Sequence, residues 1–468
     1  MSGEASEENV SVFDLFSPTD YRYYVKELKP FLSEEAYVQY KSKVEAALAG
    51  VLAGKGQISS ESAGEIIEAS GAVTAKEVYD EEEKTRHDII AQVNMIKKRV
   101  SDKAKPGVHR TATSYDIVDT ANAMRYKDAF NEIIIPDMVE LEKAWIETAR
   151  NEKNTLQIGR THLQHAEPIT FGFAVAYYVS RFGKRILKIK EAVAGLEGKF
   201  SGAVGAYNAS SLFVHDPEEF EEWILKCCSI RPVEISTQIV QPEPMTDLVH
   251  YVTSAFTILA NWARDMRNLQ RPEIGEVGQP RGKDISRSST MPHKANPVGL
   301  ENIESMWKAT MPYMLMMYMD QISDHQRDLT NSATQRYLPQ IFDQFDYSVR
   351  RAARISKNLK PHPKNMLRNF RMSSDKIIAE PLHLLLAAYG HPNSHEYVGK
   401  LADKSYETGK PLTEIIMEDP SLRPYLDRFK RYQMKIIKDP TKYLGIASRK
   451  AEKVATTWEK QLKEAGLY

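Results

Sequence analysis

Cysteine is nearly absent from this 468-residue sequence, and the two present are neighbours, Cys227 and Cys228. A vicinal pair is a poor structural crosslink, and without Cys-x-x-Cys spacing it offers neither a metal knuckle nor a redox centre. Two reduced thiols in a helix is the reading, and it suits a cytoplasmic compartment. Long apolar runs are missing, so nothing in the chain is expected to span a bilayer. The start, Met1 to Asn9, is acidic and polar. With neither a basic n-region nor an apolar h-region, it reads as a frayed tail and not as a secretory signal. Excess charge of one sign is lacking too: 63 basic and 63 acidic residues cancel, so no global field favours nucleic acid or an anionic membrane. Strand signals are few, and there is no internal repeat or low-complexity segment. What remains, 42% hydrophobic and 27% charged residues, describes a soluble globular protein long enough for several domains.

Helical periodicity dominates. Ser33, followed by Glu34 and Glu35, predicts a capped helix with Tyr37, Tyr40, Val44, Ala47, Leu48 and Val51 on its buried face, ending at Gly54 and Gly56. Val78, Ile89, Val93, Ile96 and Val100 predict a second helix over 75–100, with Arg86, His87 and Asp88 at the border of its apolar face. Pro106-Gly107 marks a turn. From Thr113 the helices lengthen. Phe171 to Leu196 keeps a 3-4 spacing for about seven turns, and Leu248 to Met266 and Tyr337 to Ala352 repeat it. Helices this long stabilise one another in a bundle. Shorter helices follow Pro361-His362-Pro363, broken at Gly390-His391-Pro392 and near Asp419-Pro420. The expected fold is all-α, divided as an N-terminal helical domain over 1–112, a central long-helix bundle over 113–364 and a C-terminal helical domain over 365–468.

The chemistry concentrates in four stretches. In the first, a loop rich in Gly, Pro and charge, Glu273 to Asp284, gains backbone freedom from Gly275, Gly278 and Gly282. It runs into Ser288-Ser289-Thr290-Met291-Pro292-His293-Lys294-Ala295-Asn296-Pro297, just ahead of a helix. Hydroxyls, turn-type N–H groups and a cation beside a helix start suit a substrate with carboxylates. Gly159-Arg160-Thr161-His162-Leu163-Gln164 precedes a long helix, and His162 is a candidate acid or base. His165 sits three residues on, which lacks the i,i+4 spacing and glutamate of a zinc helix, so no metal is expected. Thr113-Ser114-Tyr115-Asp116 reads first as a helix N-cap. Arg327 and Arg336, in the block from His325 to Arg336, could clamp a phosphate at two points if the intervening turn folds back; alone they read as a solvated helix face.

Taken together, Ser288, Ser289, Met291, Pro292, Lys294, Asn296 and Pro297 match in order the signature of the fumarase/aspartase superfamily, with Arg287 where that signature has glycine. Gly159 to Gln164 is similar to its second signature and Thr113 to Asp116 to its first, with His109 just upstream as in one branch. Ser17 to Tyr23, Thr85-Arg86-His87-Asp88, Ser201 to Gly205, Ser236-Thr237-Gln238 and His325 to Arg336 resemble the branch that cleaves adenylosuccinate. The resemblance implies a three-domain fumarase/aspartase-type fold and a β-elimination releasing fumarate from adenylosuccinate and from succinyl-aminoimidazole carboxamide ribotide. It makes Ser288 the base and His162 the proton donor. Thr113, Ser114, Lys294 and Asn296, assisted by Gln238, would hold the succinyl carboxylates, and Ser289 would bind the substrate beside them. Arg22, Tyr23, Arg327, Ser332 and Arg336 would hold the phosphate, with Arg86, His87 and Asp88 at the nucleotide. It implies no metal or organic cofactor and a homotetramer whose sites draw on three subunits. Two other readings compete: a superfamily lyase or cycloisomerase with a different succinyl or carboxymuconate substrate, and an inactive helical oligomer. Arg287 and the Arg110-Thr111 pair after His109 leave room for the former.

Overall fold

The computed structural model describes residue 19 and residues 21–280, 285–287 and 290–468, the side chains of Ser286 and Arg287 excepted. The Ser33 hydroxyl accepts the Ala36 N–H at 3.1 Å and starts helix α1, Glu34–Gly54, as its capping residues predict. Helices α2 (Ser60–Gly71), α3 (Ala75–Thr85) and α4 (Asp88–Lys97) follow. The single helix expected over 75–100 is therefore two. Arg86 takes a left-handed φ of 55° and closes α3, and His87 turns extended and caps α4, its Nδ1 accepting the Ile90 N–H at 3.4 Å. Thr85 Oγ1 adds a bond to the His87 carbonyl at 3.0 Å. Such local side-chain bonds compete with helix continuation, which hydrophobic periodicity alone does not register.

The long helices come next. Helix α5, Ser114–Ala129, passes through one π turn, Phe130–Ile134, into α6, Ile135–Asn151. A hairpin not anticipated from the sequence intervenes: β1, Leu156–Thr161, pairs antiparallel with β2, Gln164–Thr170, in a register that sets Thr161 opposite Gln164. His162 and Leu163 form its two-residue turn with φ of 53° and 62°, the geometry usually given to Asn-Gly. With no Asn or Gly there, the turn is invisible to sequence rules. Helices α7 (Phe171–Ala194), α8 (Pro217–Cys227) and α9 (Glu243–Leu269) follow. Then come short strands β3 (Val277–Gly278), β4 (Ser286–Arg287) and β5 (Ala295–Asn296), and α10 (Val298–Thr310). After α11 (Leu338–Asn358) come strand β6 (Lys360–Pro361) and α12 (Pro363–Arg371). Strand β3 pairs with β6, and β4 with β5.

The chain divides into two compact units. One takes the residues up to Val139, Lys184–Leu259 and Ser305–Arg351; the other takes Glu140–Gly183, Ala260–Glu304 and Ala352–Tyr468. In the first, Phe342 packs edge-on against Tyr126 and Phe130, with centroids 5.2 and 4.9 Å away, and Phe256 meets Phe345 at 5.6 Å. In the second, Trp145 is the hub. Its ring lies 5.4 Å from those of Phe182 and Trp262, and its N–H reaches Ser356 Oγ at 2.9 Å, so the one polar atom of a fully buried indole is satisfied. Separately, Ile378, Leu382, Leu412, Ile416 and Phe429 anchor an apolar cluster among the shorter helices of this unit. The C-terminal helix, Ala447–Glu464, lays Trp458 so close to Gly183 that a Cβ there would sit 2.3 Å from a ring carbon.

Candidate active site

In the first unit the site grows from the N-terminus of α5. The Asp116 carboxylate reaches back to the Thr113 N–H at 2.8 Å, orienting the first turn that carries Thr113 and Ser114. The same carboxylate accepts the Gly202 N–H at 3.2 Å and pairs with the fully buried Lys199 ammonium, which also bonds the Gly202 carbonyl at 3.1 Å. One buried ion pair thus ties the α5 start to the Ser201–Gly205 loop. Burial raises the Asp116 pKa even against the pull of Lys199. The loop is tied onward, because Ser201 and Ser236 share a 2.6 Å hydroxyl contact. Gly205 has a φ of 79° and approaches the Ser236 carbonyl more closely than any Cβ would permit. Gln238 then donates its backbone N–H to the Gln326 carbonyl at 3.1 Å. Three stretches far apart in sequence are therefore joined around Thr113 and Ser114.

His87 completes this cluster from the α3–α4 break, with Nε2 3.4 Å from Ser114 Oγ. Asp88 beside it pairs with Lys41 at 3.4 Å, and Arg86 is exposed. Burial pushes the Lys41 pKa down, and Asp88 opposes the shift. His109 lies upstream of Thr113 with a left-handed φ of 60°, its Nδ1 2.6 Å from Glu45. Burial disfavours its charge, but the Glu45 carboxylate outweighs that and leaves the His109 pKa raised. Lys41 and Glu45, both buried on α1, hold the motif residues Asp88 and His109. Sequence reading missed them because they interrupt the apolar face at positions where polar residues ordinarily face water.

The cationic residues of this unit rest on different supports. The Arg327 guanidinium stacks 3.8 Å above the Tyr115 ring, and its three nitrogens are shielded from solvent with no hydrogen-bond acceptor among the described residues. Arg336 is exposed and lines an open groove of about 620 Å³ with Thr19, Tyr24, Lys29 and Tyr337. Arg22 and Ser332 are exposed, and Tyr23 packs edge-on against Tyr347 at 5.8 Å.

In the second unit His162 stands exposed at the tip of the β1–β2 hairpin. The hairpin is held from below by Arg160, whose two terminal nitrogens meet the fully buried Glu276 carboxylate at 2.5 and 3.2 Å. Lys294 is exposed just before β5, and Asn296 is half-buried within the short β4–β5 ladder that opposes Ser286 to Asn296 and Arg287 to Ala295. Arg287 therefore occupies a paired strand position. Ser288 and Ser289 lie outside the described residues. The expectation that glycines give the preceding loop freedom needs correcting for its first part. Gly275 has its carbonyl bonded by Asn365 at 2.7 Å, and Gly278 sits in the β3–β6 ladder under the His362 ring, where a Cβ would come within 2.8 Å. Gly278 permits close approach, and Gly275 supplies a left-handed φ of 58°. Gly282 is outside the described residues.

Against known proteins, residues 23–311 match the family model described as lyase, and residues 323–431 match that described as adenylosuccinate lyase C-terminal. The adenylosuccinate lyase of Pyrococcus abyssi is 34% identical over 458 residues, spanning 96% of this chain and 99% of its own. That of Archaeoglobus fulgidus is 30% identical over 441 residues, spanning 93% and 97%. Among solved structures, the crystal structure of fumarate lyase from Mesorhizobium sp. BNC1 superposes with a TM-score of 0.81 at 23% identity, covering 93% of this chain and 98% of that one. The 3-carboxy-cis,cis-muconate lactonizing enzyme of Pseudomonas putida does so at 0.83 and 22%, covering 94% and 99%. Fold and signatures thus define a lyase of the all-α fumarase/aspartase type. Within that class, the second family model and the near full-length relatives decide the branch. The chain belongs to the adenylosuccinate lyase family. No helix of the described residues is long and apolar enough to cross a membrane.

Proposed function

We propose that this chain cleaves adenylosuccinate to AMP and fumarate, and performs the same β-elimination on succinyl-aminoimidazole carboxamide ribotide, in purine nucleotide synthesis. The observation that carries the reading is Arg327. A guanidinium withdrawn from water, stacked on Tyr115 and left without an acceptor among the described residues is a site in want of an anion, and a nucleotide phosphate supplies one. Arg22, Tyr23, Ser332 and Arg336 complete the phosphate site, and Arg86, His87 and Asp88 contact the nucleotide. The succinyl carboxylates fall to Thr113 and Ser114, to Ser289, Lys294 and Asn296, and to Gln238.

The chemistry follows from the weak acidity of a C–H next to a carboxylate. Ser288 removes that proton, and the negative charge that develops is spread onto a carboxylate held by hydrogen-bond donors and the Lys294 cation. The same cation and donors favour the serine alkoxide, since serine is otherwise a poor base. His162 gives a proton to the leaving nitrogen as the C–N bond breaks. Its exposed hairpin tip suits a group that meets a ligand. No metal or organic cofactor has a part in these steps. The reading extends to a cytoplasmic homotetramer in which three subunits complete each site, with the three-domain division at residues 112 and 364 described for the sequence.

An ultraviolet assay of the purified protein with adenylosuccinate tests this, with Ser288→Ala and Arg336→Ala alongside. Wild type should release fumarate and AMP, Ser288→Ala should not, and Arg336→Ala should weaken nucleotide binding far more than fumarate binding. A folded wild-type protein that leaves adenylosuccinate intact would sink the assignment, and equal loss of both ligands in Arg336→Ala would sink the phosphate role.

A further inference from the structure

We infer that Glu276 is a positioning residue for His162. The inference rests on the role proposed for that histidine. Glu276 lies ten residues before Ser286, in a loop whose composition reads as ordinary solvated linker, yet it is fully buried. Its carboxylate is used from every side. Oε2 accepts from Gln157 Nε2 at 2.8 Å and from Arg160 at 3.2 Å; Oε1 accepts from Arg160 at 2.5 Å and from Asn369 Nδ2 at 2.9 Å. Its backbone is engaged as well, with the N–H on the Leu269 carbonyl at 2.9 Å and the carbonyl accepting from His362 at 2.8 Å. One side chain therefore joins β1 of the hairpin, the end of α9 is bonded to the same residue's backbone, and α12 contributes Asn369.

The consequence for His162 is geometric. Gln157 and Arg160 are on β1, and Arg160 precedes the hairpin tip by two residues, opposite His165 in the ladder. The ladder itself shifts register between Ile158 and Arg160, so strand pairing alone fixes this end of the hairpin weakly. A bidentate guanidinium–carboxylate contact is directional as well as strong. It sets where the strand beyond the register shift points, and hence where the His162 ring is presented. Removing the charge from Glu276 should leave the hairpin formed but its tip free to wander, and an ångström of misplacement at a proton donor is enough to cost on the order of 100-fold in rate. Ground-state binding of the phosphate and nucleotide end of the substrate, assigned to residues of the other unit, should be nearly untouched.

The test is Glu276→Gln in the full chain, assayed with adenylosuccinate and followed by amide hydrogen exchange over residues 156–170. We expect kcat to fall about 10- to 100-fold with KM within about threefold of wild type, and exchange to quicken in the hairpin while the remaining amides keep their protection. Because a buried amide opposite Arg160 could compromise folding, Asn369→Ala, which removes a single tie, is measured in parallel and should show the same pattern more weakly. Unchanged kcat and unchanged hairpin exchange in a folded Glu276→Gln protein would overturn the inference. So would a rise in KM with kcat preserved, or a uniform loss of protection across the chain in both variants. A wild-type protein without activity on adenylosuccinate would instead overturn the proposed reaction, and the exchange measurement would still decide whether Glu276 orders the hairpin.

Discussion

Removing Lys199 should be among the most damaging single changes available in the first unit, although it touches no solvent. Lys199 and Asp116 are both fully buried and paired, and the carboxylate also holds the N–H groups of Thr113 and Gly202. Lys199→Met leaves a buried carboxylate with two neutral donors and no counter-charge, a change worth roughly 3–5 kcal/mol. Asp116→Asn leaves the ammonium with neutral acceptors, the amide oxygen and the Gly202 carbonyl, and no paired carboxylate, and should cost a similar amount. The double variant buries neither charge and should recover most of the loss, so the two singles should be strongly non-additive, with a coupling of about 2 kcal/mol or more. Urea unfolding of all four proteins measures this. Lys199→Met should also recover partly on acidification: without the ammonium the folded-state pKa of Asp116 rises further above its unfolded value. Uptake of a proton then removes the uncompensated charge as pH falls through that value. Since the pair orients Thr113 and Ser114, KM should rise in the single variants. Single losses below about 1 kcal/mol, or losses that simply add, would refute the argument that this pair holds the α5 start to the 201–205 loop.

Two further outcomes follow from other buried features. Glu142 on α6 is fully buried, neither carboxylate oxygen has a hydrogen-bond partner among the described residues, and burial pushes its pKa well above the usual value. The folded state therefore holds this proton more tightly than the unfolded chain, and stability falls as pH rises above about 4.5. Glu142→Gln should raise the melting temperature at pH 8 and leave it nearly unchanged at pH 4; an equal gain at both would show that the carboxyl is not the source. Gly183→Ala places a methyl group where the Trp458 ring already lies, so it should cost about 1–3 kcal/mol in the second unit. An unaltered melt would mean that the C-terminal helix is free to shift.

How much of this could be read from the chain depended on how local each feature is. Ser33 capping α1, the long periodic runs of α7, α9 and α11, and the Thr113 N-cap are set by residues within a turn or two of one another, and the sequence displays them directly. The break at Arg86-His87 is also local, but its signal is capping chemistry, and apolar positions on either side continue the same period across it. The hairpin at His162 was hidden for a different reason. Its turn residues are ones for which positive φ is costly, so local preference argues against the conformation that tertiary contacts impose. Arg287, which stands where the signature has glycine, is a ladder partner of Ala295, a strand position that does not require glycine.

The deepest gap concerns buried polar partners. Lys199 finds Asp116 across 83 residues, and Arg160 finds Glu276 across 116. Nothing in composition or spacing distinguishes these four from the many charged residues that face water, because a charge becomes worth burying only when its partner and remaining hydrogen bonds are already in place. The signatures nevertheless point toward them, since each pair has a member inside a motif: Asp116 follows Thr113 and Ser114, and Arg160 precedes His162. In both pairs that member turns inward, away from the residues assigned to the substrate, and fixes the short segment that carries them. The motifs of this chain thus contain two kinds of residue, those assigned to the ligand and those that hold the former in place. Only the fold separates the two, by showing which side chains are left without a hydrogen-bond acceptor among the described residues, as Arg327 is, and which have every bond filled, as Glu276 has.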